Sequence, residues 1–271
     1  MVVYIPTLSR LDNLRKIIPY WLEQEMQVRL VVEHREYGAH NALKRDMGWG
    51  SAVYILPLPL DNRGIGYSRN YCVKHASRTA LDSIIMSDDD IYVNTSSDAW
   101  LLLDEAAKPG VLGVGGALSI HDRFTDGAIS RTHGAIMCPG GWAFKLYGLN
   151  VQVALDCGNY NRYLHSHGED AEMARQGISR GYPWRVHCDV RCTAIGKRYD
   201  PGGLAAKYTT KEKRIEAEHE CMAIIHNTWP KYTNAPDKPS RTAWQKMLND
   251  YIPTWREASA LHGGSLDKLW E

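Results

Sequence analysis

Asp88-Asp89-Asp90 sets three carboxylates in a row between two apolar runs, Ile84-Ile85-Met86 and Ile91-Tyr92. Adjacent carboxylates repel one another. A hard divalent cation that takes oxygen ligands, together with a diphosphate, would relieve that repulsion. The same residues also suit a solvated acidic turn, because Asp is common in turns. A second acidic pair lies in Gly168-Glu169-Asp170-Ala171-Glu172-Met173, at the start of an amphipathic stretch. Upstream, Ile5-Pro6-Thr7-Leu8-Ser9-Arg10 ends the first apolar run, where it would border a nucleotide base and ribose, although Pro after a strand is also ordinary loop chemistry. In Arg63-Gly64-Ile65-Gly66-Tyr67-Ser68-Arg69-Asn70 the glycines permit close backbone approach. Arg63 or Arg69 there can pair with a phosphate, or the segment can simply start a helix.

The elements that would position these clusters follow from hydrophobic periodicity. Val2–Ile5 reads as a strand, Asp12–Glu25 as a helix with apolar positions at Leu14, Ile17, Ile18, Trp21 and Leu22, and Val28–Glu33 and Ala52–Leu56 as further strands. Gly66–Thr79 reads as a helix and Ser83–Met86 as the strand leading into the aspartates. A helix over Ala99–Lys108 stops at Pro109-Gly110, and Val111–Leu118 is a glycine-interrupted strand. Strands alternating with helices predict βαβ units on a mostly parallel sheet flanked by helices. In such a sheet the aspartates would emerge at the carboxyl edge, where open α/β sheets bind ligands. Later, Ala135–Cys138, Gly141–Lys145 and Trp184–Cys188 read as strands, and Gly168–Gly177, Lys211–Ile225 and Ala243–Tyr251 as helices.

The chain has 271 residues, enough for one large α/β domain with a terminal extension. Its 32 basic and 31 acidic side chains produce no global field toward nucleic acid or anionic membrane, so such binding must be local. One local excess runs from Arg191 to Arg214 and includes Lys197, Arg198, Lys207, Lys211 and Lys213. It reads as a solvated face, a loop closing over a diphosphate through Lys207, or a track for a DNA backbone. No apolar run approaches the ~20 residues of a membrane span, so a soluble, cytoplasmic protein is expected. The six cysteines are scattered and lack zinc-finger spacing, which predicts reduced and mostly buried thiols.

In this order the four clusters resemble the GT-A glycosyltransferases: a first-strand Pro-Thr, Gly66-x-x-x-Arg69-Asn70, Asp88-x-Asp90 and Glu169-Asp170. The resemblance covers residues 1–226 and implies a Rossmann-like GT-A domain there, with residues 227–271 as a C-terminal helical extension. It implies Asp88 and Asp90 beside Mn2+ or Mg2+ and Asp89 near ribose or sugar. It also implies a late histidine completing the metal shell, for which His226 in Ile224-Ile225-His226-Asn227 is the choice and His187 the runner-up. A histidine on an apolar segment can equally be a packed core residue. In inverting relatives the second acid of the Glu-Asp pair takes the acceptor proton, which maps that role to Asp170, while Glu169 binds acceptor or orients the loop. The competing role for Asp170 is helix capping.

More narrowly, Ile5–Arg10, Gly64–Asn70 and Ser87–Ile91 resemble the TET-associated glycosyltransferases, phage-type enzymes that decorate hydroxymethylated pyrimidines in DNA. That resemblance implies a UDP-sugar donor and 5-hydroxymethylcytosine in duplex DNA as acceptor. Aromatic residues near the Glu-Asp pair, Trp142, Tyr160, Tyr163 and Trp184, would stack on a base or pack in the core. The alternatives are a cytoplasmic enzyme acting on a bacterial glycan, an inactive GT-A-like binding module, and a nucleotidyltransferase. The last would use paired acids without needing Gly66-x-x-x-Arg69-Asn70.

Overall fold

The computed structural model describes residues 1–118, 135–137, 145–166, 168–182, 184–195, 208 and 210–228. Its elements in chain order are β1 (Val2–Pro6), α1 (Leu11–Glu23), β2 (Gln27–Val32), α2 (Tyr37–Asp46), β3 (Val53–Pro57), α3 (Ile65–Arg78), β4 (Ser83–Ser87), β5 (Ile91–Val93), α4 (Ser96–Ala106), β6 (Gly113–Leu118), β7 (Ala135–Met137), β8 (Leu146–Asn150), α5 (Val151–Asp156), α6 (Glu169–Ser179), β9 (Trp184–Ala194) and α7 (Lys211–Thr228).

The sheet runs β3-β2-β1-β4-β8-β6-β9-β5, with β7 paired to β9. The β3-β2-β1-β4 half is parallel, built from the βαβ units the periodicity predicts. Beyond β4 the sheet is mixed, because β8 enters antiparallel between β4 and β6. Side chains alternate across the sheet as strand geometry requires. Val2, Tyr4, Ile84 and Met86 pack with Cys72, Val73, Met173 and Trp184 on one face. Val3, Ile5 and Ile85 pack on the other with Leu14, Ile17, Ile18 and Trp21 of α1 and Ala99, Leu102 and Ala106 of α4. Both faces are therefore covered, which explains the continuous apolar runs of β1 and β4.

Local signals account for several boundaries. Helix α4 starts at a capping box in which Thr95 Oγ1 accepts from the Asp98 amide and Asp98 accepts from the Thr95 amide. Helix α1 buries Leu14, Ile17, Ile18 and Trp21 and tolerates Pro19 in its interior. Cys72, Cys157, Cys192 and Cys221 are free and buried, as expected for reduced thiols.

The structure corrects some sequence expectations. The helix expected over Lys211–Ile225 is present and runs on through His226 to Thr228 as α7, where Cys221 and Ile225 form a small apolar cluster with Leu164. Residues 141–144 of the strand expected at Gly141–Lys145 lie outside the described residues; Lys145 itself precedes a strand over Leu146–Asn150, and β9 runs on to Ala194. Helices α2 and α5 and the short β5 were not anticipated. The expected helix at Ala243–Tyr251 and nearly all of 227–271 lie outside the described residues. Among those residues no helix is long and apolar enough to cross a membrane.

Candidate active site

Because β1 and β4 are parallel neighbours, Thr7 and Asp88 leave the sheet at the same carboxyl edge. The antiparallel β8 begins there too, and the Asp88 amide donates to the Lys145 carbonyl at 2.8 Å. The aspartate turn is closed by the Ile195 amide donating to the Asp90 carbonyl at 2.8 Å and by Ser87 Oγ donating to the Ile91 carbonyl at 3.1 Å. The three acids therefore sit on a pinned turn, and each faces different partners.

Asp89 is buried. Its carboxylate accepts from Thr7 Oγ1 at 2.7 Å and from Arg10 Nη1 at 2.8 Å. Burial pushes this carboxyl up to about 6, although Arg10 and Thr7 both favour its charged form. Asp90 Oδ2 lies 3.5 Å from Arg10 Nη1 and 3.9 Å from Lys145 Nζ. Asp88 points the other way and accepts from Arg69 Nη2 at 2.8 Å, with 30% of its side chain exposed.

Arg69 joins the two acidic clusters. Its Nη1 lies 2.7 Å from Glu169 Oε1 and 3.9 Å from Asp170 Oδ2, and its guanidinium carbon sits 5.8 Å from the centre of the Tyr147 ring. Burial works against the arginine charge, but Tyr147, Glu169, Asp88 and Asp170 together raise its pKa well above the usual value. Glu169 is likewise buried. Desolvation pushes its carboxyl up to about 7 against the pull of Arg69, with Asp170 adding to the rise. Tyr147 Oη shares a buried hydrogen bond with Tyr160 Oη.

The glycine motif explains how Arg69 reaches this position. A Cβ on Gly66 would sit 2.3 Å from the Asn161 carbonyl oxygen and 2.6 Å from that of Leu164, so only glycine lets the first turn of α3 lie against the 159–166 loop. Gly64 stands at φ +83, a left-handed conformation, with the His165 backbone equally close. The Gly66 amide donates to the Leu164 carbonyl at 2.9 Å, and Asn70 Nδ2 donates to the Tyr160 carbonyl at 2.7 Å. Gly66-x-x-x-Arg69-Asn70 thus clamps the loop that leads into α6 and its two acids.

The structure gathers Thr7, Arg10, Asp88, Asp89, Asp90, Arg69, Glu169 and Asp170 into one linked set, with Pro6 buried at the end of β1. It does not bring Arg63 into that set: the side chain is exposed, with its guanidinium carbon 5.9 Å from the centre of the Tyr67 ring. Lys207 and the His226 side chain lie outside the described residues. His187 is buried in β9, where burial lowers its pKa and the neighbouring charges are Asp189, Glu105, Arg185 and Asp98. Sequence reasoning missed Lys145 and Tyr147. The short apolar run Leu146-Tyr147-Gly148-Leu149 was the available signal, with Lys145 at its polar start.

Asp88 and Asp90 offer hard oxygen donors at a solvent-reaching edge, which fits Mg2+ or Mn2+ bound jointly with a diphosphate. Among the described residues no three His, Cys, Asp or Glu side chains gather as a metal cluster, so protein ligands beyond the aspartates would have to come from elsewhere.

The family described as TET-Associated Glycosyltransferase matches residues 1–109, which include Pro6-Thr7, the glycine motif and the aspartates but not Glu169-Asp170. Among solved structures, mannosyltransferase PcManGT from Pyrobaculum calidifontis in complex with GDP-Man and Mn2+ superposes with a TM-score of 0.62 at 19% identity, over 99% of this chain and 76% of that one. The fold is that of the GT-A glycosyltransferases. GalNAc-T7 with UDP, GalNAc and Mn2+ gives a TM-score of 0.57 at 11% identity, over 96% of this chain and 55% of the other. No curated protein sequence matches the chain. Fold and family match agree on a glycosyltransferase, and the carboxyl edge of its GT-A sheet carries the acidic turn.

Proposed function

We propose that this glycosyltransferase moves a sugar from a UDP-sugar to the hydroxymethyl group of 5-hydroxymethylcytosine in duplex DNA, with inversion at the anomeric carbon. The observation that carries the reading is the meeting of Asp88 with Glu169 and Asp170 on the single guanidinium of Arg69. Two acidic clusters roughly 80 residues apart in sequence are thereby held as one centre, one suited to a donor diphosphate and the other to an acceptor hydroxyl.

Asp88 and Asp90, with His226 as a third ligand, would hold Mn2+ or Mg2+. When bound, Mn2+ or Mg2+ neutralises the negative charge that grows on the departing diphosphate. Pro6, Thr7, Arg10 and Asp89 line the nucleotide side, and Lys207 supplies charge toward the phosphates. Gly66 and Arg69 hold the wall between donor and acceptor. Asp170 takes the proton of the acceptor hydroxyl as its oxygen bonds to the anomeric carbon. The bond to the diphosphate breaks on the opposite face, and its electron pair leaves with UDP. Glu169, tied to Arg69, orients the segment that carries Asp170. A DNA acceptor puts the reaction in the cytoplasm, the host's if a phage encodes the chain. Residues 1–226 form the catalytic domain, and 227–271 are a C-terminal extension of it.

The narrow family match supports the DNA acceptor, and Mn2+ with a nucleotide or nucleotide sugar in both superposed structures supports the donor class. The test incubates the protein and Mn2+ with hydroxymethylcytosine DNA or unmodified DNA, supplying UDP-glucose, UDP-N-acetylglucosamine or GDP-mannose. The DNA is then digested to nucleosides for mass spectrometry. The expected result is a 5-hydroxymethyl-2′-deoxycytidine heavier by one sugar residue, with a UDP donor only, and lost on adding EDTA. Donor turnover with a glycan acceptor and none with DNA would overturn the acceptor assignment.

A further inference from the structure

A cleft of ≈ 570 Å3 opens between the start of α3, the 161–165 turn and α7. Its wall carries Arg63, Arg162 and Lys213, together with Tyr163, Tyr208 and Glu216. Among the described residues none of these three cations has a carboxylate within 4.0 Å, whereas Glu220 is engaged by His165 Nε2 at 3.1 Å. Tyr163 is 56% exposed, a large aromatic surface turned to solvent. The Arg162 guanidinium lies 5.1 Å from the centre of that ring, and its Nη2 donates to Tyr163 Oη at 3.0 Å.

This platform is rigidly mounted. Leu164 is buried against Cys221 and Ile225, and Ser166 Oγ donates to the Ala217 carbonyl at 2.9 Å. The Tyr163 amide donates to Asn161 Oδ1, and the Leu164 and His165 carbonyls are held by α3 amides. The same turn continues through Gly168 into Glu169 and Asp170. An exposed aromatic ring backed by a guanidinium, with further cations across a cleft, matches what a nucleotide strand requires: a π-face for the base and positive charge for its phosphates. The size is right for a bound small unit. Fixing these groups before binding removes ordering cost.

We propose that this cleft is the acceptor-strand subsite, in which Tyr163 stacks on a base of the DNA while Arg162 and Lys213 contact flanking phosphates. The proposal rests on the DNA reading of the acceptor. Glu216 on the same wall can accept from a cytosine amino group, which would help to distinguish cytosine from thymine.

The test compares the wild type with Tyr163→Ala, Tyr163→Phe, Arg162→Ala and Lys213→Ala. Duplex binding is read by fluorescence anisotropy at several salt concentrations, KM for hydroxymethylcytosine DNA by nucleoside mass spectrometry, and UDP-sugar hydrolysis without acceptor as the control. Tyr163→Ala is expected to raise Kd and KM about tenfold, the size of one stacked base, and Tyr163→Phe to restore them. Arg162→Ala and Lys213→Ala are each expected to lower the slope of log Kd against log salt by roughly 1. Hydrolysis should be unchanged in all four. If the wild type modifies DNA and all variants keep its Kd, KM and salt slope, the cleft assignment is wrong while the function stands. A wild type that hydrolyses donor yet neither binds nor modifies DNA overturns both.

Discussion

Replacing Arg69 with Met should test the linkage of the two acidic clusters through stability as well as activity. The side chain is 4% exposed, and its two terminal nitrogens face Asp88 at 2.8 Å, Glu169 at 2.7 Å and Asp170 at 3.9 Å. Methionine roughly fills the volume but leaves the buried Glu169 without its counter-charge. Removing one partner of a buried pair costs about 3–5 kcal/mol. For a domain of this size that corresponds to a melting-point drop of roughly 6–20 °C. The loss should depend on pH, because Glu169 already sits at about 7 and can escape its unpaired charge by taking up a proton. Urea denaturation at pH 5.5 and pH 8 is therefore the assay, with the larger loss expected at pH 8. The double variant Arg69→Met, Glu169→Gln should recover part of it. A single variant within ~0.5 kcal/mol of wild type at both pH values, the range of an inconsequential surface change, would refute the reasoning.

Glu169 also makes a prediction on its own. Its folded-state pKa of about 7 lies above its ordinary 4.5, so the folded chain holds the proton more tightly, and stability should fall as pH rises from about 4.5 to 7. Glu169→Gln should remove that decline, leaving the smaller one that Asp89 contributes between 3.8 and about 6; an unchanged stability-pH profile would contradict the assignment. Gly66→Ala drives a Cβ against two backbone carbonyls, a packing conflict of roughly 1–3 kcal/mol or more. It should lower the melting point and displace the 159–166 loop, visible as a loss of transfer greater than any loss of nucleotide-sugar affinity in calorimetry.

Much of this arrangement was legible in the sequence, for identifiable reasons. β1 and β4 are apolar runs ending in Pro6-Thr7 and Asp88–Asp90, and a parallel sheet leaves such ends on one edge whatever follows. The role of Gly66 was legible only in kind: glycine signals close approach, but not that the approaching backbone is Asn161 and Leu164 rather than a phosphate. Arg69 was read as a phosphate partner, and its three carboxylate partners come from segments 19 and about 100 residues away, a pairing no local pattern encodes. The helix carrying His226 was legible over Lys211–Ile225 from its composition, and only its last turn to Thr228 was not. Lys145 was placed within a strand, and its position beside Asp90 depends on the antiparallel insertion of β8, a long-range choice.

The central claim is that the turn at Asp88–Asp90 and the pair Glu169-Asp170 form one transfer centre, with Asp170 as the base. Asp170→Asn tests it most directly, with UDP-sugar affinity measured calorimetrically in Mn2+ and transfer to hydroxymethylcytosine DNA followed by nucleoside mass spectrometry. The account predicts nearly unchanged donor affinity and a kcat lower by about 10²–10⁴-fold, the usual contribution of a general base. A kcat within threefold of wild type would contradict it.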